Sequence, residues 1–272
     1  MPSDNTAVIK ECMPDVQGSE DNRQIAINKV GVKDIRYPIT LKCPKTGGTQ
    51  STVANVNMYV GLPHDQKGTH MSRFLEVLNK YHQSIRSDQV MSIVHEMKDR
   101  LNAETAHLEL TFPYFIDKQA PISGYPGKLD IEVKFTCVSN HHDDLIMEIL
   151  VPATSLCPCS KEISEYGAHN QRCHMTAKVR LREGQSMWIE ELFDIVERSA
   201  STQVFAVLKR PDEKYVTEAA YDNPKFVEDI VRDLAREMEN EDRIRWYAVS
   251  SENFESIHNH NAYAVVERDK DA

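Results

Sequence analysis

The 272-residue chain has no uninterrupted apolar run close to the roughly 18 residues that a membrane span needs. Its polar first 24 residues lack the apolar centre of a signal peptide. Both absences point to a cytoplasmic protein with no membrane partner. Basic charge is also short: 32 Lys and Arg stand against 42 Asp and Glu, a formal charge of -10. The overall field therefore repels nucleic acid, and a polyphosphate ligand has to meet a local cationic pocket. Cysteine is sparse. Six thiols (Cys12, Cys43, Cys137, Cys157, Cys159 and Cys173) over this length exclude a disulfide scaffold. The one close pair, Cys157-Pro158-Cys159, lacks the second half of a CxxC...CxxC zinc module. There is no P-loop spacing either.

Apolar residues make up 40% of the chain, enough for a substantial core. After a polar stretch over 1–25, which reads as a mobile arm or an oligomer contact, residues 28–43 and 52–62 alternate apolar with polar around the turn-rich 45–50, predicting a hairpin. Helical stripes follow over 71–85 (Phe74, Leu75, Leu78, Tyr81) and 88–103 (Val90, Ile93, Val94, Met97, Leu101), the second capped by Ser87 or Asp88. Residues 106–116, 128–139 and 144–152 read as strands. The second half resembles this order loosely: strand 173–181, helix 188–199, short strand 204–208, helix 224–239 opened by Asn223-Pro224, and strands 244–249 and 262–266. The expectation is an α+β fold of two ββααββ-type modules with antiparallel sheets, over 26–153 and 154–267, with an arm over 1–25 and a tail over 268–272.

Four clusters carry chemistry. Residues 152–174 collect Cys157, Cys159, His169, Arg172 and His174. Thiolate and imidazole are natural zinc ligands, and a catalytic site keeps three protein ligands with a fourth position for water. Cys157 and His169 can supply two of the three; equally, the thiols can be small packed residues and His169 a turn cap. Between the last two strands lie Glu255, His258 and His260. Two apart on an extended segment, the histidines share a side, which suits metal support or proton transfer as well as a solvated hairpin tip. The segment 209–218 offers Glu213 as an oxygen ligand and Lys209, Arg210 and Lys214 to phosphates, or is an exposed turn. Lys67-Gly-Thr-His-Met-Ser-Arg73 opens a helix, where backbone N–H groups with Lys67, His70 and Arg73 favour a phosphate, or simply cap the helix.

Together, Lys67-Gly-Thr-His-Met-Ser-Arg73, Ser155-Leu-Cys-Pro-Cys-Ser-Lys161, His169-Asn-Gln-Arg172, Arg210-Pro-Asp-Glu213 and Asn253-Phe-Glu-Ser-Ile-His-Asn-His-Asn261 closely resemble the bacterial type IB GTP cyclohydrolases, over about residues 25 to 267. The resemblance implies the tunnelling fold, two modules per chain and a homotetramer with active sites at subunit interfaces. It implies conversion of GTP and water to 7,8-dihydroneopterin triphosphate and formate, which begins folate-type pterin synthesis. Carried over by position, it makes Cys157, His169 and Glu213 the ligands of one divalent metal ion per site. This mixed set accepts zinc, manganese or iron, and the ion delivers hydroxide to C8 of guanine. Glu255, His258 and His260 become the proton-transfer candidates, and Glu228 the carboxylate that holds the purine edge. A solvated surface Glu is the alternative for Glu228, which lies off the apolar stripe of its predicted helix. Lys67, His70 and Arg73, joined by Arg172 and Lys214, become the triphosphate contacts. One departure stands out. The better-known type I enzymes ligate zinc through a Cys-x-x-His pair plus a distant Cys, and the segment 157–160 has no histidine there, so activity rests on the type IB ligand set and Cys159 is a catalytic residue that supports the metal ligands, redox-sensitive or only packed.

Two rivals share these residues. A nitrile reductase on the same fold would use Cys157 or Cys159 as a nucleophile with NADPH and no metal. A non-catalytic nucleotide-binding module would use the Cys and His residues structurally.

Overall fold

A computed structural model describes residues 14–43, 47–83, 85–87 and 89–272. The predicted hairpin is β1 (Ile27–Cys43) with β2 (Gly48–Leu62), paired antiparallel. Two helices, α1 (Met71–Tyr81) and α2 (Val90–Leu101), lead to β3 (Ala106–Gln119), β4 (Pro126–Ser139) and β5 (Asp143–Leu156). Then come α3 (Pro158–Ile163), β6 (Asn170–Leu181), α4 (Ile189–Glu197), the two-residue β7 (Thr202–Gln203), α5 (Arg210–Asp222), α6 (Val227–Asn240), β8 (Ile244–Asn253) and β9 (Ala262–Asp269). All strands join one antiparallel sheet in the order β1-β2-β3-β4-β5-β6-β8-β9, with β7 pairing β5. No helix among the described residues is long and apolar enough to cross a membrane.

One face of the sheet is apolar and carries the helices. Alternate residues of β2 (Val56, Met58, Val60), β3 (Leu108, Leu110, Phe112) and β6 (Met175, Ala177, Val179) are buried, and so are Phe74, Val77 and Leu78 of α1 and Ile230, Leu234 and Met238 of α6. The other face carries the intervening residues and is polar: Asn57 donates to Glu109 at 3.0 Å, Lys178 pairs with Glu148 at 3.3 Å, and the Arg180 guanidinium lies 4.2 Å from the Trp246 ring centroid. An antiparallel sheet tolerates such a split, with core on one side and water on the other.

Several expected boundaries shift for identifiable reasons. The strand expected at 144–152 continues to Leu156, so the division at 153/154 falls inside β5. Residues 204–208 are not a strand; β7 precedes them. Asn223-Pro224 does not begin a helix. Asn223 closes α5, its amide donating to the carbonyls of Ala200 and Ser201 at 3.1 and 3.0 Å, and α6 starts after Phe226. Ser87 does not cap α2, because its hydroxyl donates to the Met187 carbonyl at 3.1 Å. Asp88, residues 1–13 of the arm and residues 45 and 46 of the first turn lie outside the described residues. Within the arm, residues 17–21 are fixed to the loop after β2: Gly68 N–H donates to Gln17, Lys67 N–H to Ser19, and Asp21 N–H to Asp65, at 2.8 to 3.0 Å.

The register separates the two ends of the sheet. Val60, Ala106, Ser139 and Asp143 are level at one end. At the other, β5 and β6 finish their pairing at Leu156 and Asn170, and β8 and β9 at Asn253 and Ala262.

Candidate active site

Cys157 and His169 meet at the second end. Cys157 precedes α3, and Pro158, whose missing N–H costs nothing in a first helical turn, starts that helix. The Cys157 N–H donates to the His169 carbonyl at 3.2 Å. The Ser160 hydroxyl donates to the Cys157 carbonyl at 3.0 Å and accepts the His169 N–H at 3.2 Å. Both side chains are half-buried at the closed base of this loop. The Nδ1 of His169 lies 2.9 Å from Oε1 of Gln171, and the Gln171 amide nitrogen donates to Ser155, which fixes Oε1 as the acceptor. This arrangement suits the Nδ1–H tautomer, in which Nε2 keeps its lone pair, as metal-binding histidines do.

The segment after β8 lies beside this pair. The Ser256 hydroxyl is 3.5 Å from His169 Nδ1, and Phe254 N–H donates to the Arg172 carbonyl at 3.0 Å. His258 and His260 are exposed and stacked, their centroids 5.0 Å apart and their planes 16° from parallel, so the shared side expected of them is present. Glu255 is half-buried. His174, one strand residue beyond Cys173, has its pKa lowered by burial and by the Arg172 charge. Cys173 beneath it is buried, its thiol pushed up to about 12 by desolvation. It is a packed residue.

Glu213 and Glu228 are both exposed, each in the first turn of its helix. The neighbour of Glu213, Asp212, is fully buried and accepts N–H groups from Ile122, Ser123 and Lys209, each at 2.8 Å, and the Ser123 hydroxyl at 2.7 Å. Burial alone would raise its pKa, but these donors outweigh that and hold it well below the usual carboxylate range. At the far end of α5, Lys161 of α3 donates to the Tyr221 carbonyl and lies 4.1 Å from the Tyr221 ring centroid. Among the described residues no three His, Cys, Asp or Glu side chains form a metal-holding group. The structure thus fastens Cys157 to His169. A thiol and an imidazole with a free Nε2 suit a divalent ion as two of its ligands.

Lys67, His70 and Arg73 follow β2 and belong to the opposite end of the sheet. There His70 lies 3.4 Å from Asp15, and Arg73 donates to the Arg100 carbonyl at 3.2 Å. Lys214 pairs with Glu218 along α5, one oxygen at 2.6 Å, while Arg172 is exposed on β6 near Cys157. Cys159 is exposed on α3. A cleft of about 1130 Å³ opens at the end away from Cys157, between Asp143, Arg180 and Gly184. It is not this site.

Ser155, Ser160, Gln171 and Asn253 lie inside the segments that carry the resemblance, but no role was read for them there. The available signal was proximity: Gln171 lies two residues from His169, at the start of β6.

A model of the type I GTP cyclohydrolase FolE2 family matches residues 13–264. A GTP cyclohydrolase FolE2 of Azoarcus sp. is 58% identical over 266 residues, 96% of this chain and 97% of that one. One of Magnetococcus marinus is 57% identical over 94% of this chain and 96% of its own. Among solved structures, urate oxidase from Bacillus subtilis superposes with a TM-score of 0.52 over 89% of this chain and 99% of that chain, at 9% sequence identity. The architecture is the tunnelling fold.

Proposed function

The chain belongs to the type I GTP cyclohydrolase FolE2 family, and from that membership we propose that it hydrolyses GTP at the sheet end bearing Cys157 and His169. GTP and water give 7,8-dihydroneopterin triphosphate and formate, the first step of folate-type pterin synthesis. The observation that carries the reading is the fastening of Cys157 to His169, with Nε2 of the imidazole open, beside the Glu255, His258 and His260 segment.

Cys157 and His169 would hold a divalent ion, zinc, manganese or iron, with Glu213 brought in as the oxygen ligand. Such an ion supplies Lewis acidity and a water acidic enough to act near neutral pH. The chain's own residues do the rest. The Glu228 carboxylate, exposed at the start of α6, accepts the N–H edge of guanine and orients C8. Glu255, His258 and His260 lend and recover protons as the imidazole ring of the purine opens and C8 leaves as formate. Cys159 lies close enough in sequence to support Cys157.

The triphosphate contacts Lys67, His70 and Arg73 stand at the other end of the same sheet, so in this reading a second copy of the chain supplies them. Two features support an assembly. β1 and β9 are the terminal strands of the sheet; Thr40 and Lys42 of β1 pair with residues 82 and 85, whereas β9 has no further strand beside it among the described residues, an edge that proteins rarely leave uncovered. β9 also turns Tyr263 and Val265 outward, 64% and 55% exposed.

The test is incubation with GTP and each of several divalent metals, oxidation, fluorescence detection of neopterin, and a parallel formate assay. Equal amounts of both products are expected, and chelation should abolish them. Absence of both under every metal would refute the assignment, and turnover surviving complete metal removal would refute the metal.

A further inference from the structure

Ser155 lies at the centre of a buried polar group. It is 0% exposed, Asn253 2% and Gln171 7%. The Ser155 oxygen accepts from Asn253 Nδ2 at 3.0 Å and from Gln171 Nε2 at 3.3 Å, and its proton goes to the Lys225 carbonyl at 3.2 Å. A hydroxyl has one proton and two lone pairs, and all three are used. Asn253 in turn accepts the Ser251 hydroxyl at 3.1 Å, and Lys225 N–H returns to the Leu156 carbonyl at 3.0 Å. Buried polar groups are costly unless satisfied, and a fully satisfied set admits one arrangement.

Each arm ends at a different part of the site. Gln171 holds the ring of His169. Asn253 is the last residue of β8, directly before the segment with Glu255, His258 and His260. Lys225 lies three residues before Glu228 on the approach to α6. We propose that Ser155, Gln171 and Asn253 are positioning residues: one buried hydroxyl sets the relative placement of His169, the proton-transfer segment and the Glu228 helix, and through Gln171 fixes the Nδ1–H tautomer that turns Nε2 to the site. This rests on the reading of His169 as a site residue.

The experiment uses the full chain, stripped by chelator, as wild type, Gln171→Met and Gln171→Glu. Manganese and zinc are titrated calorimetrically, and the tautomer of His169 is read from isotopically labelled histidine resonances assigned with His169→Asn. Wild type is expected to be protonated on Nδ1. Gln171→Met removes the acceptor and is expected to weaken metal binding about 10- to 100-fold, with the Nε2–H form appearing. Gln171→Glu keeps an acceptor and is expected to recover the Nδ1–H ring and most of the affinity. An unchanged tautomer and affinity in Gln171→Met overturns the proposal. If no form binds a metal, the metal reading fails on its own and the tautomer comparison still decides the positioning role. If Gln171→Met does not fold, the decision falls to Gln171→Glu, in which an Nε2–H ring overturns the proposal.

Discussion

Cys157 and His169 are twelve residues apart in sequence and are brought together by backbone hydrogen bonds and by one serine hydroxyl. Neither side chain is needed for those bonds, so each can be changed without unfastening the loop. Cys157→Ser and His169→Asn are therefore expected to lower formate release at least about 100-fold, the effect of losing Lewis acidity worth several kcal/mol, while the far-ultraviolet circular dichroism stays that of wild type. A parallel loss of structure would show these residues to be structural. At this scale the sequence displayed the reactive residue types and hid their supports. Cysteine and histidine announce themselves by chemistry, whereas Ser155, Gln171 and Asn253 look like any polar strand residues until the register of β5, β6 and β8 shows that they point inward.

Among the elements, α5 was the hardest to read. Only Asp212 and Ala220 of its 13 residues are buried, so there is no apolar stripe to find. Its start was nonetheless marked by Pro211 in the first turn and by Asp212 reaching back to the Lys209 N–H at 2.8 Å. Asp212→Asn sets an amide against N–H donors and is expected to loosen α5 from the turn at Ile122 and Ser123, lowering both thermal stability and kcat/KM. The pH dependence has a definite sign. A carboxyl with a depressed folded pKa stabilises above its unfolded value of about 3.9 and loses that contribution as pH falls through the folded one. The gap in urea unfolding between wild type and Asp212→Asn should therefore narrow progressively as pH falls below about 4; a gap that widens there would contradict the account. A second link joins β3 to α4, where Lys118 and Glu197 form a buried ion pair, 9% and 7% exposed, with Lys118 also donating to the Val204 carbonyl at 3.0 Å. Lys118→Met is expected to cost about 3–5 kcal/mol, because Glu197 is left buried without its counter-ion. Glu197 already has its pKa raised by burial, so that variant should regain stability as pH falls, which denaturation across pH would show. The long strands and the helices α1, α2, α4 and α6 were visible because burial on one face imposes a period on the sequence. Asn223-Pro224 misled because the asparagine caps the preceding helix instead.

The whole molecule places cysteine and triphosphate candidates at opposite ends of a single sheet, a separation the linear sequence cannot show because it follows from strand register. If each site takes Cys157 from one copy and Arg73 from another, two inactive variants should repair each other. Cys157→Ala mixed with Arg73→Ala after dissociation and reassembly is expected to regain about a quarter of wild-type turnover, since half of randomly formed pairs are mixed and each of these keeps one intact site of two. No regain would place both ends in one chain's site. The same separation has a bearing on the cell. If one chain holds only half of each catalytic unit, working capacity at low abundance rises with the square of copy number, so halving the gene's output would then remove more than half of the flux.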